Sequence, residues 1–285
     1  MITVTLEAPT KAVAHLDGKE VGSLHFSTNR LHFHPRILYV RFVGSESARL
    51  AEVAGALYET VLRALEPRDP LLLYTGADED SPLLPVLRAL GFREFRRVYL
   101  PTLEVPSFGL SSLDAEVNRT AALGYRVVSL RELEPSDRTK QALFGLFCEV
   151  YADTSTVVPA TPQTYSPAGW WEDFILDEAI IPEAFFVALQ GNDMAGFGTL
   201  YRGEQEGELE TGTFGTARRH RNYHRDLMLA VKAHEIDYAQ THGYRTLRAE
   251  IDADNPLILQ VCAELPFVQG KDSISLVKVL NWSVK

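Results

Sequence analysis

The chain has 285 residues, a net charge of −10 and an apolar fraction of 46%. That suits soluble cores of ordinary size and excludes nucleic acid as the main partner, since phosphate binding calls for a basic footprint. Two cysteines, Cys148 and Cys262, exclude a disulfide framework, and no apolar run nears the ~20 residues of a membrane span, so a reducing cytoplasm and no membrane are expected. The opening ITVTLEAP has no basic stretch leading an apolar one, so no secretory signal is expected. Lys11 to Phe26 alternates around Asp17-Gly18 and predicts a hairpin. Arg36 to Gly44 predicts a strand, and Ser45 to Leu65 a helix capped by Ser45 or Ser47. Leu71 to Thr75 predicts a strand buried on both faces. A short helix (SPLLPVLRALGF) and a strand (REFRRVYLPTL) follow. His32 and His34 alternate along an edge, with no third metal ligand, so no metal site is expected.

Residues 107–124 hold Gly, Ser and polar residues without a clear period and predict a linker between a first domain, 1–106, and a second, 125–285. In the second, Tyr125 opens a strand. Asp137 to Tyr151 predicts an amphipathic helix with Leu143, Phe147 and Val150 on one side. Residues 152–167 predict a loop. Gly169 to Ala179 predicts a helix led by Trp170 and Trp171, one expected to pack and the other to line a cleft. AFFVAL, Gly196 to Tyr201 and Glu206 to Phe214 predict an antiparallel meander. A helix, a strand, a short helix and the strand DSISLVKVL close the chain.

One pattern occurs twice. The first copy reads ILYVRFVG, SESARLAEVAGALYETVLRAL, PLLLYT, SPLLPVLRALGF, REFRRVYLPTL; the second reads GELETGTFG, RDLMLAVKAHEIDYAQTHG, YRTLRAEID, NPLILQVCAELPF, DSISLVKVL. The chain therefore reads as two related units in tandem. The first has no room for the strand and two helices that open the second.

The order strand, two helices, meander, helix, strand, helix, strand resembles the GNAT superfamily of acyl-CoA-dependent N-acyltransferases. Asp252 to Asn255 followed by a helix ending Leu265-Pro266-Phe267, and Leu90-Gly91-Phe92 in the first copy, resemble its fifth strand and short helix. Asn255 suits a cap and Pro256 the first turn. The two-domain arrangement resembles that of mycothiol synthase. The resemblance implies an α+β fold of mixed sheets, with two tandem GNAT-like domains, the N-terminal one truncated.

It implies acetyl-CoA as co-substrate and a small-molecule or peptide amine as acceptor, with the site in the second domain. The family's glycine-bearing diphosphate loop falls on Tyr223, Asp226 and Met228, or, shifted by two residues, on Arg221, His224 and Asp226. Neither register supplies a glycine. Arg218, Arg219, Arg221 and Arg225 are expected to substitute with side-chain contacts. The coenzyme-binding set is thus Thr213, Phe214, Gly215, Arg219, Arg221, Asn222, Tyr223, His224, Arg225, Asp226 and Asn255, with Thr213 to Gly215 holding the thioester carbonyl. Glu208 or Glu210, on one strand face, is expected to act as base through water. The tyrosine the family uses as acid is replaced by Cys262, so Tyr223 or Tyr201 stands in for it. The rival reading is a GNAT-derived binding or structural module without chemistry. Either a monomer or a homodimer is compatible with the repeat.

Overall fold

The computed structural model describes residues 1–8, 10–28, 36–44, 49–153, 166–203 and 205–280. Ser45, Ser47, His32 and His34 lie outside them. The chain divides into two compact units, Met1–Arg97 with the segment from Asp272 onward, and Val98–Lys271.

In the first unit, β1 (Ile2–Ala8), β2 (Lys11–Leu16), β3 (Lys19–Thr28) and β4 (Ile37–Gly44) form an antiparallel run. The β2–β3 turn is the expected one, with Asp17 and Gly18 both at positive φ (52° and 81°). Helix α1 (Leu50–Leu65) crosses over, β5 (Leu72–Asp78) returns parallel to β4, and α2 (Leu83–Ala89) leads to β6 (Arg93–Tyr99). α1 buries Val53, Leu57, Val61 and Leu65 against Leu24, Leu38 and Leu73. The Leu-Gly-Phe ending is a left-handed cap: Gly91 sits at φ 88°, and Phe92 folds back to donate to the Leu87 carbonyl at 3.1 Å.

In the second unit, β7 (Thr102–Glu104) is an edge strand, and 107–124 is not the expected linker. It holds a 3₁₀ turn (Leu110–Leu113) and α3 (Asp114–Ala122). The α3 sequence is polar with a faint apolar stripe. Arg225 to Glu116 (3.3 Å) and Arg119 to Asp226 (2.8 Å) hold it instead. Next come β8 (Tyr125–Ser129), α4 (Asp137–Tyr151) and α5 (Pro167–Trp170), which widens into a π-helical turn over Trp171–Ile175. That widening turns both tryptophans inward, at 0% and 7% exposure, so neither lines a cleft as expected of one. β9 (Ile180–Gln190), β10 (Asp193–Arg202) and β11 (Glu208–Thr216) form the meander. A 3₁₀ turn (Arg218–Tyr223) runs into α6 (His224–Thr241), then β12 (Thr246–Ala249), β13 (Ile251–Asp252) and α7 (Pro256–Cys262). The sheet order is β7-β12-β11-β10-β9-β8. α6 lies on one face, close enough at Gly196 that a Cβ would meet Met228 Cε at 2.8 Å.

The last strand, β14 (Asp272–Val279), was expected to finish the second unit. It pairs with β5 in the first instead, from Ser273↔Asp78 to Val279↔Leu72, and buries Ile274 and Leu276 there. The first unit's sheet therefore runs β1-β2-β3-β4-β5-β14-β6. An alternating strand carries no address in its own sequence, and both sheets offer an apolar face to it.

Candidate functional site

In the second unit, β11 and β12 run parallel from Glu208↔Thr246 to Thr211↔Ala249 and pair no further, while β11 continues along β10 to Thr216. The parallel strands therefore part after Thr211. At the same point β11 bulges: Thr211 opposes Leu200 and Phe214 opposes Gly198, so Gly212 and Thr213 face Thr199 alone. Gly212 is required there, because a Cβ would overlap the Tyr201 ring. Gly215 admits Val150 of α4, and a Cβ would stand 2.6 Å from its Cγ1. Phe214 turns to the α6 side, its ring centroid 4.0 Å from Lys232 Nζ.

Glu208 and Glu210 share a face of β11 and both pair with Arg248 of β12, Glu208 at 3.3 Å. Burial raises the Glu210 carboxyl above its ordinary value, against the opposing charge of Arg248. Tyr201 stands in register with Glu210, and burial pushes its phenol up. A carboxylate of raised pKa beside a parting of strands is a candidate base.

Tyr223 is not brought to these groups. It lies past the far end of β11, 41% exposed, its ring 5.9 Å from that of Tyr125. Cys262 is buried, and burial pushes its thiol to about 11. A thiol weaker than the ordinary one (~8.5) is a poor proton source for a leaving thiolate. Asn255 caps α7, its Oδ1 accepting from Leu257 N (3.2 Å) and Ile258 N (3.3 Å).

The arginine segment is more crowded than the sequence suggests. Arg221 pairs with Asp153, and Arg218 reaches the same carboxylate at 3.4 Å. Arg219 forks onto Asp193. Arg225 takes Glu264 (2.9 Å), Asp226 (2.8 Å) and Glu116 (3.3 Å). With Arg119 and Glu149 included, five arginines face six carboxylates. The segment is thus not a basic patch. Three of its amides are engaged as well: the Arg218 amide donates to Glu149, His220 N to Ala217 O (2.8 Å), and His224 N to Arg221 O. Asn222 is exposed on this turn.

His224 is buried between α6 and α7. Its Nε2 donates to the Leu257 carbonyl (3.2 Å), so Nδ1 accepts from the Thr216 hydroxyl (2.8 Å). Burial lowers its pKa, which keeps it neutral. This bridge joins the start of α6 to the start of α7, across the line along which β11 and β12 part. A second network, Tyr125 OH to His220 Nδ1 and His220 Nε2 to Asp193, both 2.9 Å, pins the 3₁₀ turn to β8 and β10. Sequence reasoning missed both roles, and the one available signal was the pair of histidines four residues apart at a strand-to-helix junction.

An acyl-CoA fits this site unevenly. The acyl end meets an unpaired strand edge and a bulge. The diphosphate end meets arginines that must exchange carboxylates for phosphates, and the Arg218, His220 and His224 amides there already donate within the protein.

No protein-family model matches the sequence, and a search of curated proteins found no match either. Solved structures do match. A GCN5-related N-acetyltransferase from Sphaerobacter thermophilus is 12% identical with a TM-score of 0.69, over 98% of this chain and 84% of that one. A tandem GNAT protein from the clavulanic acid biosynthesis pathway is 15% identical with a TM-score of 0.67, over 96% and 83%. A GCN5-related N-acetyltransferase from Kribbella flavida is 13% identical with a TM-score of 0.56, over 99% and 91%. No helix among the described residues is long and apolar enough to cross a membrane. Strand order, the parting of β11 and β12 and these likenesses together give the chain the GCN5-related N-acetyltransferase fold in tandem, the first copy lacking the helices that open the second.

Proposed function

We propose that the chain is an acyl-CoA-dependent N-acyltransferase, acetyl-CoA being the expected co-substrate, with its working site in the second unit. The observation that carries this is the conjunction, on β11, of the bulge at Gly212-Thr213, the end of pairing with β12, and Glu210 with its raised pKa two residues before the bulge. The thioester supplies the electrophilic carbonyl. Amides of the bulged segment to Gly215 orient it. Glu210, positioned by Arg248, takes the proton of an amine acceptor through water. Arg219, Arg221 and Arg225 hold the diphosphate by giving up Asp193, Asp153 and Glu264. Tyr201 stands in register with Glu210, but burial raises its phenol as it raises the Cys262 thiol, so neither is assigned to protonate the leaving group. The solved neighbours, acetyltransferases by name, support the reading at the level of fold.

One observation favours a second reading, a module without chemistry: the side chains of Arg218, Arg219 and Arg221 and the Arg218 amide are already engaged by carboxylates. Calorimetric titration with acetyl-CoA at moderate salt separates the two. Binding at one site per chain, weakened in Arg221→Ala, supports transfer and justifies an amine screen by thiol release. No heat at millimolar coenzyme supports the module.

A further inference from the structure

The β11 bulge is held from the α6 side by a buried ion pair. Phe214 is the first residue past the bulge and pairs with Gly198 of β10. Its ring turns toward α6, where Lys232 Nζ stands 4.0 Å from the centroid. Lys232 donates to Glu235 Oε2 at 2.6 Å, and the two side chains are 3% and 0% exposed. Glu235 in turn lies against Gly198: a Cβ there would overlap its Oε1 and stand 2.7 Å from Val231 Cγ1. The contacts close on themselves, from Phe214 to Lys232, to Glu235, to Gly198, and back to Phe214 across the ladder.

Three features separate this circuit from ordinary packing. An ammonium is drawn to the face of an aromatic ring, and more strongly when both are out of water, so Lys232 fixes the ring where an apolar chain would merely touch it. Glu235 Oε1 has no hydrogen-bond partner, so the pair keeps an unsatisfied acceptor in the core. A buried pair also adds little to stability over apolar side chains of like volume, and its best-attested use is to select one arrangement among near-equals. A bulge is such a choice. Moving the extra residue beyond Phe214 would bring Thr213 opposite Gly198 and turn the Phe214 ring to the other face of the sheet, away from Lys232.

We propose that Lys232 and Glu235 are positioning residues: through Phe214 they fix the bulge at Gly212-Thr213, and so the amides that orient the thioester. The thioester rests on the transferase reading; the fixing of the bulge does not. Lys232→Met with Glu235→Leu replaces the pair by apolar side chains, and hydrogen exchange on the full chain reads the result. In the folded double variant, peptides covering 209–216 should exchange at least about tenfold faster than in the wild type, with those of β9 unchanged. Phe214→Leu keeps the ion pair, removes the ring, and should free the same peptides even if the double variant fails to fold. With acetyl-CoA and an amine acceptor found by thiol release, the folded variants should lower kcat and kcat/KM together at least about tenfold, as expected of a group felt in the transition state. The proposal is overturned by exchange of 209–216 unchanged in the folded variants, or by unchanged kcat. A wild type that binds no acetyl-CoA, with 209–216 still freed in the variants, sinks the transferase reading and leaves the positioning of the bulge standing.

Discussion

Asp193 receives the Arg219 fork and the His220 ring together, and Arg219 first and His220 second hold its carboxyl at about 2, against an ordinary 3.8. A carboxylate depressed in the folded state stabilises above its unfolded pKa, and that contribution is lost as pH falls toward the folded one. Asp193→Asn should therefore flatten the acid unfolding curve between about pH 4 and 2, read by far-ultraviolet circular dichroism. An unchanged curve would show the fork to be idle. Glu210 has the opposite sign. Burial raises it and Arg248 opposes the rise, so a base at this position works above its raised pKa and fails below. Arg248→Met removes the opposing charge and should move the acid limb of kcat/KM to higher pH, while Glu210→Gln should cost about 10²-fold or more. A limb that stays in place in Arg248→Met would mean the base is another group.

α6 carries a buried ion pair that no surface reading of its sequence predicts. Lys232 Nζ meets Glu235 Oε2 at 2.6 Å, both side chains are all but inaccessible, and Glu235 Oε1 has no hydrogen-bond partner. Burial raises Glu235, with Lys232 opposing. Breaking such a pair leaves one charge stranded, whereas replacing both residues by apolar ones of similar volume removes the desolvation cost altogether. Glu235→Leu should lose roughly 3–5 kcal/mol in urea unfolding, and Lys232→Met with Glu235→Leu should recover most of it. Equal losses in single and double variants would place the cost in packing. This pair also shows where sequence reasoning stops. The repeat, the Asp17-Gly18 turn, the meander and the Leu-Gly-Phe cap rest on local periods and backbone preferences, and those were legible. α3 was not, because its partners Asp226 and Arg225 lie about a hundred residues on. The arginine cluster was legible as a cluster but not as a neutral one, because Glu116, Asp153, Asp193 and Glu264 reach it from four separate stretches of the chain.

The two units are not consecutive stretches of chain. The first is completed by β14, which enters between β5 and β6 after the whole second unit has been traversed. Ile274 and Leu276 are fully buried in the core under α1, and Lys278 Nζ both donates to the Leu90 carbonyl (2.6 Å) and sits 4.7 Å from the Tyr58 ring centroid. Removing β14 would strip one side of β5 of its ladder and expose the apolar face that α1 covers. The second unit, Val98–Lys271, contains its own six-stranded sheet, with α6 and α4 on its faces, and β14 is not a strand of that sheet. A chain ending at Lys271 should therefore lose the first unit cooperatively and keep the second. Hydrogen exchange reads the two separately: amides of α1 and β5 should exchange at unfolded-chain rates, while those of β10 and α6 stay protected. Protection retained in α1 would mean that β1 to β5 form a core without the returning strand. Protection lost in α6 as well would mean that the two units fold as one. The covalent crossing explains why the division at Lys271 is invisible in the sequence. DSISLVKVL alternates like any half-buried strand, and its partner β5 lies some two hundred residues earlier, so contact between them depends on the second unit having closed the distance.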